Sequence, residues 1–206
     1  MNADMGTNHP FYYIVTPLLL ALLLTPMPAS ALWPKTEADF AALPPYCKPR
    51  FQEDRYPEQA RKWINILGKS TYLHIHHYCK GLFNLMKAQA SIPPNETLLR
   101  IALKQWDYVD QHWPHNSKLR PEMLVKRGDT LILLGQISEG LISYQTAMKK
   151  KPDYSLPYLR MADYFLKQGE RDEALKWLDK GSRQAPRSNK IRRKLRQLKK
   201  EANPAQ

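Results

Sequence analysis

Residues 121–154, PEMLVKRGDTLILLGQISEGLISYQTAMKKKPDY, and residues 155–188, SLPYLRMADYFLKQGERDEALKWLDKGSRQAPRS, are two versions of one pattern. Laid over each other at a period of 34 residues, Gly135 falls on Gly169, Glu139 on Glu173, Leu141 on Leu175 and Pro152 on Pro186. A period of that size marks stacked supersecondary units rather than one closed core. Each copy holds an apolar run with helical spacing, a Gly near the middle, a second apolar run, and a Pro 17 residues after the Gly. That order reads as two antiparallel helices and a stop.

The first copy sets Leu124, Gly128, Leu131, Gly135, Gly140, Tyr144, Ala147 and Pro152 in order, and the second sets Tyr158, Ala162, Phe165, Gly169, Ala174, Leu178, Gly181 and Pro186. This pattern resembles the tetratricopeptide repeat (TPR), in which small residues let helix backbones approach and large ones fill the spaces between. The resemblance implies an all-α, TPR-like helical-repeat solenoid.

Outward from this pair the same logic extends. Asn95 reads as the cap of a helix running to about Trp113, in which Ala102, Trp106, Val109 and Pro114 have the spacing of Gly140, Tyr144, Ala147 and Pro152. With a helix from Thr71 to about Ala90 before the Ser91-Ile92-Pro93-Pro94 break, residues 71–120 form a degenerate helix pair. Three pairs meet the usual minimum for a continuous stacked core. Residues 189–206 then read as a basic capping helix and tail, with Ile191, Leu195 and Leu198 on one stripe covering the last pair. Upstream, residues 32–70 are a Pro-rich arm with short helices, one over Thr36 to Leu43 and one over Pro57 to Leu67 with Gly68 as its C-cap.

Residues 1–31 read as a signal peptide. Phe11 to Leu24 is apolar apart from Thr16 and Pro17, too short for a comfortable bilayer span, and Ala29 and Ala31 make an A-x-A cleavage site. The flank lacks Lys and Arg and contains Asp4, so an uncleaved anchor is the alternative. Beyond residue 31 the chain carries 32 basic against 18 acidic residues, +14, a surface that serves solubility or favours acidic partners.

The densest group of reactive side chains is His74-Ile75-His76-His77-Tyr78-Cys79, and the other cysteine is Cys47. On a helix His74 and His77 share one face and His76 and Cys79 another, so no face presents three ligands. In an exported chain Cys47 and Cys79 read first as a disulfide stapling the arm to the stack. The alternatives are two buried thiols, or a metal- or redox-active site built from Cys47, Cys79 and histidines such as His76, within the His74–His77 cluster. No nucleophile elbow, Gly-rich phosphate loop or haem-attachment motif is present, so neither enzymatic activity nor a cofactor is expected.

Carried over by position, the resemblance puts Val125, Asp129, Ile132 and Leu133, and Leu159, Asp163, Leu166 and Lys167, along the groove. At the positions where some relatives clamp a terminal carboxylate this chain has Val125, Asp129, Leu159 and Asp163, so that clamp is absent. Two uses of the aspartates stand open: contact with a basic group of a bound peptide, or internal pairing with Lys126 and Arg160. Lys190, Arg192, Arg193, Lys194, Arg196, Lys199 and Lys200 give the last helix a basic surface, either a solvated cap or a contact with an anionic surface. Nucleic acid is disfavoured because no aromatic platform interleaves these charges. The sequence thus leads to the expectation of a non-enzymatic protein-interaction adaptor of the bacterial cell envelope, periplasmic or secreted, with a peptide or protein partner in the groove. The cleavage signal generates a first prediction: the mature protein begins at Leu32, and amino-terminal sequencing of exported material returns Leu-Trp-Pro rather than Met1.

Overall fold

The structure is a computed structural model and describes residues 32–202, so the expected leader lies outside the described residues. The described chain is all-helical, with ten helices: α1 Glu37–Ala41, α2 Cys47–Phe51, α3 Pro57–Leu67, α4 Lys69–Gln89, α5 Glu96–His112, α6 Arg120–Leu133, α7 Ile137–Lys150, α8 Ser155–Lys167, α9 Arg171–Gln184 and α10 Asn189–Ala202. Local chemistry accounts for several of their ends. Thr36 and Asp39 form a capping box at the start of α1, and Asn95 accepts from the Leu98 amide at 3.0 Å at the start of α5. Gly68, at φ 84°, ends α3 and starts α4. The short helix α2 was not expected, because Pro49 lies inside it. At the third position of a one-turn helix, however, its missing N–H would have had no intrahelical partner.

The helices pack in chain order. α4 lies on α5, α6 on α7 and α8 on α9, while α5 meets α6, α7 meets α8 and α9 meets α10. The first members also touch one another, α4 with α6, α6 with α8 and α8 with α10, which makes the architecture repeat-like. The 34-residue period is visible in atomic detail at the turns. Gln136 N–H donates to the Leu131 carbonyl and Glu170 N–H to the Phe165 carbonyl, both at 2.9 Å, with Gly135 and Gly169 at φ 77° and 78° between them. The same period recurs in the ion pairs: Arg160 meets Asp129, and Lys194 meets Asp163.

The arm belongs to this core. Phe40, Leu43, Tyr46 and Cys47 are buried, α2 packs on α4, and Cys47 is bonded to Cys79. Both cysteines are fully buried. The bridge spans 32 residues, a loop whose closure is worth roughly 3–4 kcal/mol on a chain-entropy model.

Two kinds of glycine separate here. At Gly135 an added Cβ would meet nothing within 4 Å, and only the positive φ selects glycine. At Gly128 an added Cβ would run into the Tyr144 ring and lie 2.9 Å from the Gly140 carbonyl oxygen, where α6 and α7 cross. Gly128→Ala is therefore expected to lower stability by roughly 1–3 kcal/mol despite alanine's better helix propensity. Gly135→Asn, which tolerates the left-handed region, should cost less than about 1 kcal/mol. Chemical denaturation of the two variants checks the contrast.

Candidate functional site

The first helices of the successive pairs, together with α10, line a furrow made of adjoining hollows. One is bounded by Leu43 and Pro44 of the arm, Leu82, Met86 and Gln89 of α4, and Glu122 and Lys126 of α6. The next shares Gln89 and runs over Ile132, Leu133, Tyr164 and Leu166. A third lies between α8 and α10 and shares Arg160, Asp163, Leu166 and Lys194 with the second. Leu133 is 38% exposed, and Ile132, Tyr164, Leu166, Leu82 and Met86 are half-buried along the same path.

Of the residues assigned to the groove, the structure gathers Asp129, Ile132, Leu133, Asp163, Leu166 and Lys167 around the central hollow. It corrects one: Val125 is fully buried in the hydrophobic core, where neighbouring first helices touch and close over it. Leu159 is 8% exposed and lines the third hollow, between α8 and α10.

The aspartates are engaged internally. Asp129, with a side chain only 10% exposed, accepts from Tyr144 Oη and Arg160 Nε, each at 2.8 Å. Burial and the adjacent carboxylate push the Tyr144 phenol well above its ordinary range, so it remains a donor. Asp163 accepts from Lys194 and lies 3.9 Å from Arg160 Nη1. Arg160, rather than Lys126, is the partner. Lys126 and Lys167 make no ion pair among the described residues, and neither does Glu122 beside Lys126 in the first hollow, so it is the central hollow that holds an unpaired cation, Lys167, and no unpaired acid. A sequence signal for this existed: Arg160 precedes Asp163 by three residues and follows Asp129 by 31, and Lys194 repeats the spacing to Asp163.

The histidines gather into a different array. His77 stacks on Tyr108 at 3.6 Å, and Tyr108 stacks on His112 at 3.9 Å, while His74 lies 5.1 Å from His112. His77 Nδ1–H donates to Gln105 Oε1 at 2.8 Å, His112 Nδ1–H donates to the Tyr108 carbonyl at 2.7 Å, and His74 Nδ1 is 3.2 Å from Tyr108 Oη. Gln105, Tyr108 and His112 come from α5 and were not anticipated, since only the α4–α5 contact brings them over α4. His76 stands next to His77 with its Nδ1 buried and unpartnered. Among the described residues no three His, Cys, Asp or Glu side chains surround one point as metal ligands would, and Cys47 and Cys79 are occupied with each other. No family model matches this chain, and no curated protein is significantly similar to it.

Burial lowers the pKa of His74, His76 and His77, with the neighbouring cations His77 and Arg50 adding to the effect at His76, which falls to about 4. A histidine lowered in the fold binds fewer protons than in the unfolded chain, so its neutral state supports folding above about pH 6.5 and that support is lost as pH falls toward 4. Melting temperature is accordingly expected to drop between pH 7 and pH 4. In His76→Gln the decline should be shallower by roughly 1–3 kcal/mol, as thermal denaturation across that range would show.

Proposed function

We propose that this protein is a non-enzymatic adaptor of the cell envelope, with a TPR-like helical-repeat solenoid whose furrow takes a peptide segment of a partner protein. The observation that carries this reading is the furrow itself, which crosses α4, α6, α8 and α10 with apolar side chains partly open to solvent and free lysines beside them. Exposed apolar side chains in a continuous depression are what an extended or helical peptide covers. Because Asp129 and Asp163 are already neutralised, the chemistry fits apolar anchors flanked by carboxylates, rather than the basic group that the aspartates alone would call for.

Export is supported by the leader-like residues 11–31 and by the Cys47–Cys79 bond, which is at home in an oxidising compartment. The 34-residue recurrence of turns and ion pairs supports the repeat assignment. A metal- or redox-active role has less support, since both sulfurs are bonded and fully buried, away from any exchanging thiol.

The reading predicts the composition of ligands selected from a random peptide display. Peptides retained by the protein should be rich in aromatic or aliphatic residues next to Asp and Glu, and Leu133→Glu with Leu166→Glu should weaken them at least tenfold with melting unchanged. Selection of Lys- and Arg-rich peptides, or undiminished binding to the double variant, would overturn it.

A further inference from the structure

From Lys180 to Lys200 the chain carries ten basic residues and no acid. Within this stretch α10 has three sides. Ile191 and Leu198 are buried at 0% and 5%, with half-buried Leu195 between them, against the preceding helices. Lys194 is turned to Asp163 in the furrow and Lys199 reaches Asp179 of α9 at 3.8 Å. Opposite the apolar stripe, Arg192, Arg193, Arg196 and Lys200 occupy one arc of the helix, all exposed. None of the four has a carboxylate partner among the described residues, and Arg183 and Arg187, also exposed and unpaired, continue the positive field at the α9–α10 turn.

We infer that this face docks on an anionic phospholipid surface, by charge alone. Complementarity selects the partner: a 14-residue helix presents a straight, outward strip of cations, and a planar array of phosphate headgroups can meet all of them at once. The mode of contact follows from the packing. An amphipathic helix that enters a bilayer must offer its apolar side to the acyl chains, but here Ile191 and Leu198 are committed to the protein core. The docking is therefore peripheral, steeply dependent on salt, and leaves the fold intact. Nucleic acid fits less well, because residues 180–200 contain no aromatic side chain on which a base could stack.

Each headgroup-facing cation is worth roughly a fivefold change in partitioning. The test uses protein purified as cells process it, mixed at low salt with vesicles of phosphatidylcholine alone or with 30% phosphatidylglycerol. The inference requires sedimentation that depends on phosphatidylglycerol, falls at least tenfold between about 0.05 and 0.5 M salt, and falls at least a hundredfold in R192Q/R193Q/R196Q/K200Q with circular dichroism and melting unchanged. If that variant does not fold, R192K/R193K/R196K supplies the decision, since keeping the charges should keep the binding within about fivefold. Equal sedimentation with the two vesicle types, retention by the folded glutamine variant, or loss in the folded lysine variant would each overturn the proposal. So would tighter binding to a single-stranded RNA oligomer that the glutamine variant loses in parallel, which would assign the face to nucleic acid.

Discussion

The close approach of paired helix backbones is the constraint on which the rest of the structure depends. In each pair a glycine on one helix lies against an aromatic ring on the other: Gly81 under Trp106, Gly128 under Tyr144, and Gly181 against Tyr158. A Cβ at Gly81 would lie 2.6 Å from the Trp106 ring, so nothing larger than hydrogen fits without moving the helix. The ring fills the space the glycine leaves, and the aromatic atoms supply the contacts a smaller pair would forfeit. Trp106, Tyr144 and Tyr158 are all buried, which places the largest side chains where the backbones are nearest.

Once the pairs are fixed, polar groups tie one pair to the next. Trp106 Nε1–H donates to Thr130 Oγ1 at 2.9 Å between α5 and α6. Arg127 joins Asp107 of α5 to Ser143 of α7 at 2.9 and 3.0 Å. Arg120, almost fully buried, donates to the carbonyls of Asp110 and Trp113 and to the Asp110 carboxylate, capping the end of α5 with a cation where the helix dipole is negative. Further along, Tyr144, Asp129, Arg160, Asp163 and Lys194 form one chain of contacts from α7 through α6 and α8 to α10. Half-buried pairs of this kind contribute more to register than to net stability, because desolvation offsets much of their attraction.

Sequence reading went far where local chemistry decides the outcome. Thr36, Pro57, Gly68, Asn95, Gly135 and Gly169 each act at the helix end their type implies, and the period of 34 is matched by the turn geometry. It stopped where neighbouring helices decide. Val125 is buried by packing among first helices, which a single repeat does not contain. For Asp129 internal pairing with Lys126 or Arg160 stood beside contact with a ligand, and only the packing of α8 on α6 decides for Arg160, 31 residues away. His112 joined the α4 histidines only through the packing of α5 on α4, although both segments were visible separately. Helix α2 escaped notice because a proline breaks most helices but not a first turn.

The recurrence of the Asp129–Arg160 contact as Asp163–Lys194 gives α10 a precise structural meaning. It stands where the first helix of a further pair would stand, with its apolar stripe and Lys194 used as such a helix would use them. What differs is the outer arc, where a continuing stack would need apolar side chains and small residues and this helix has Arg192, Arg193 and Arg196. These three and Lys200, none of which has a carboxylate partner among the described residues, could not be buried against another helix without counter-charges. The same helix then closes one end of the furrow with its inner side and offers its cations on the outer side. Arg193 and Lys194 both border the hollow between α8 and α10, so a peptide held there and an anionic surface met by Arg192, Arg196 and Lys200 would meet adjoining sides of one helix, whose width is on the order of 10 Å. If both proposals hold, a partner in the furrow and a membrane would be engaged at once, with the strong dependence on salt confined to the outer contact.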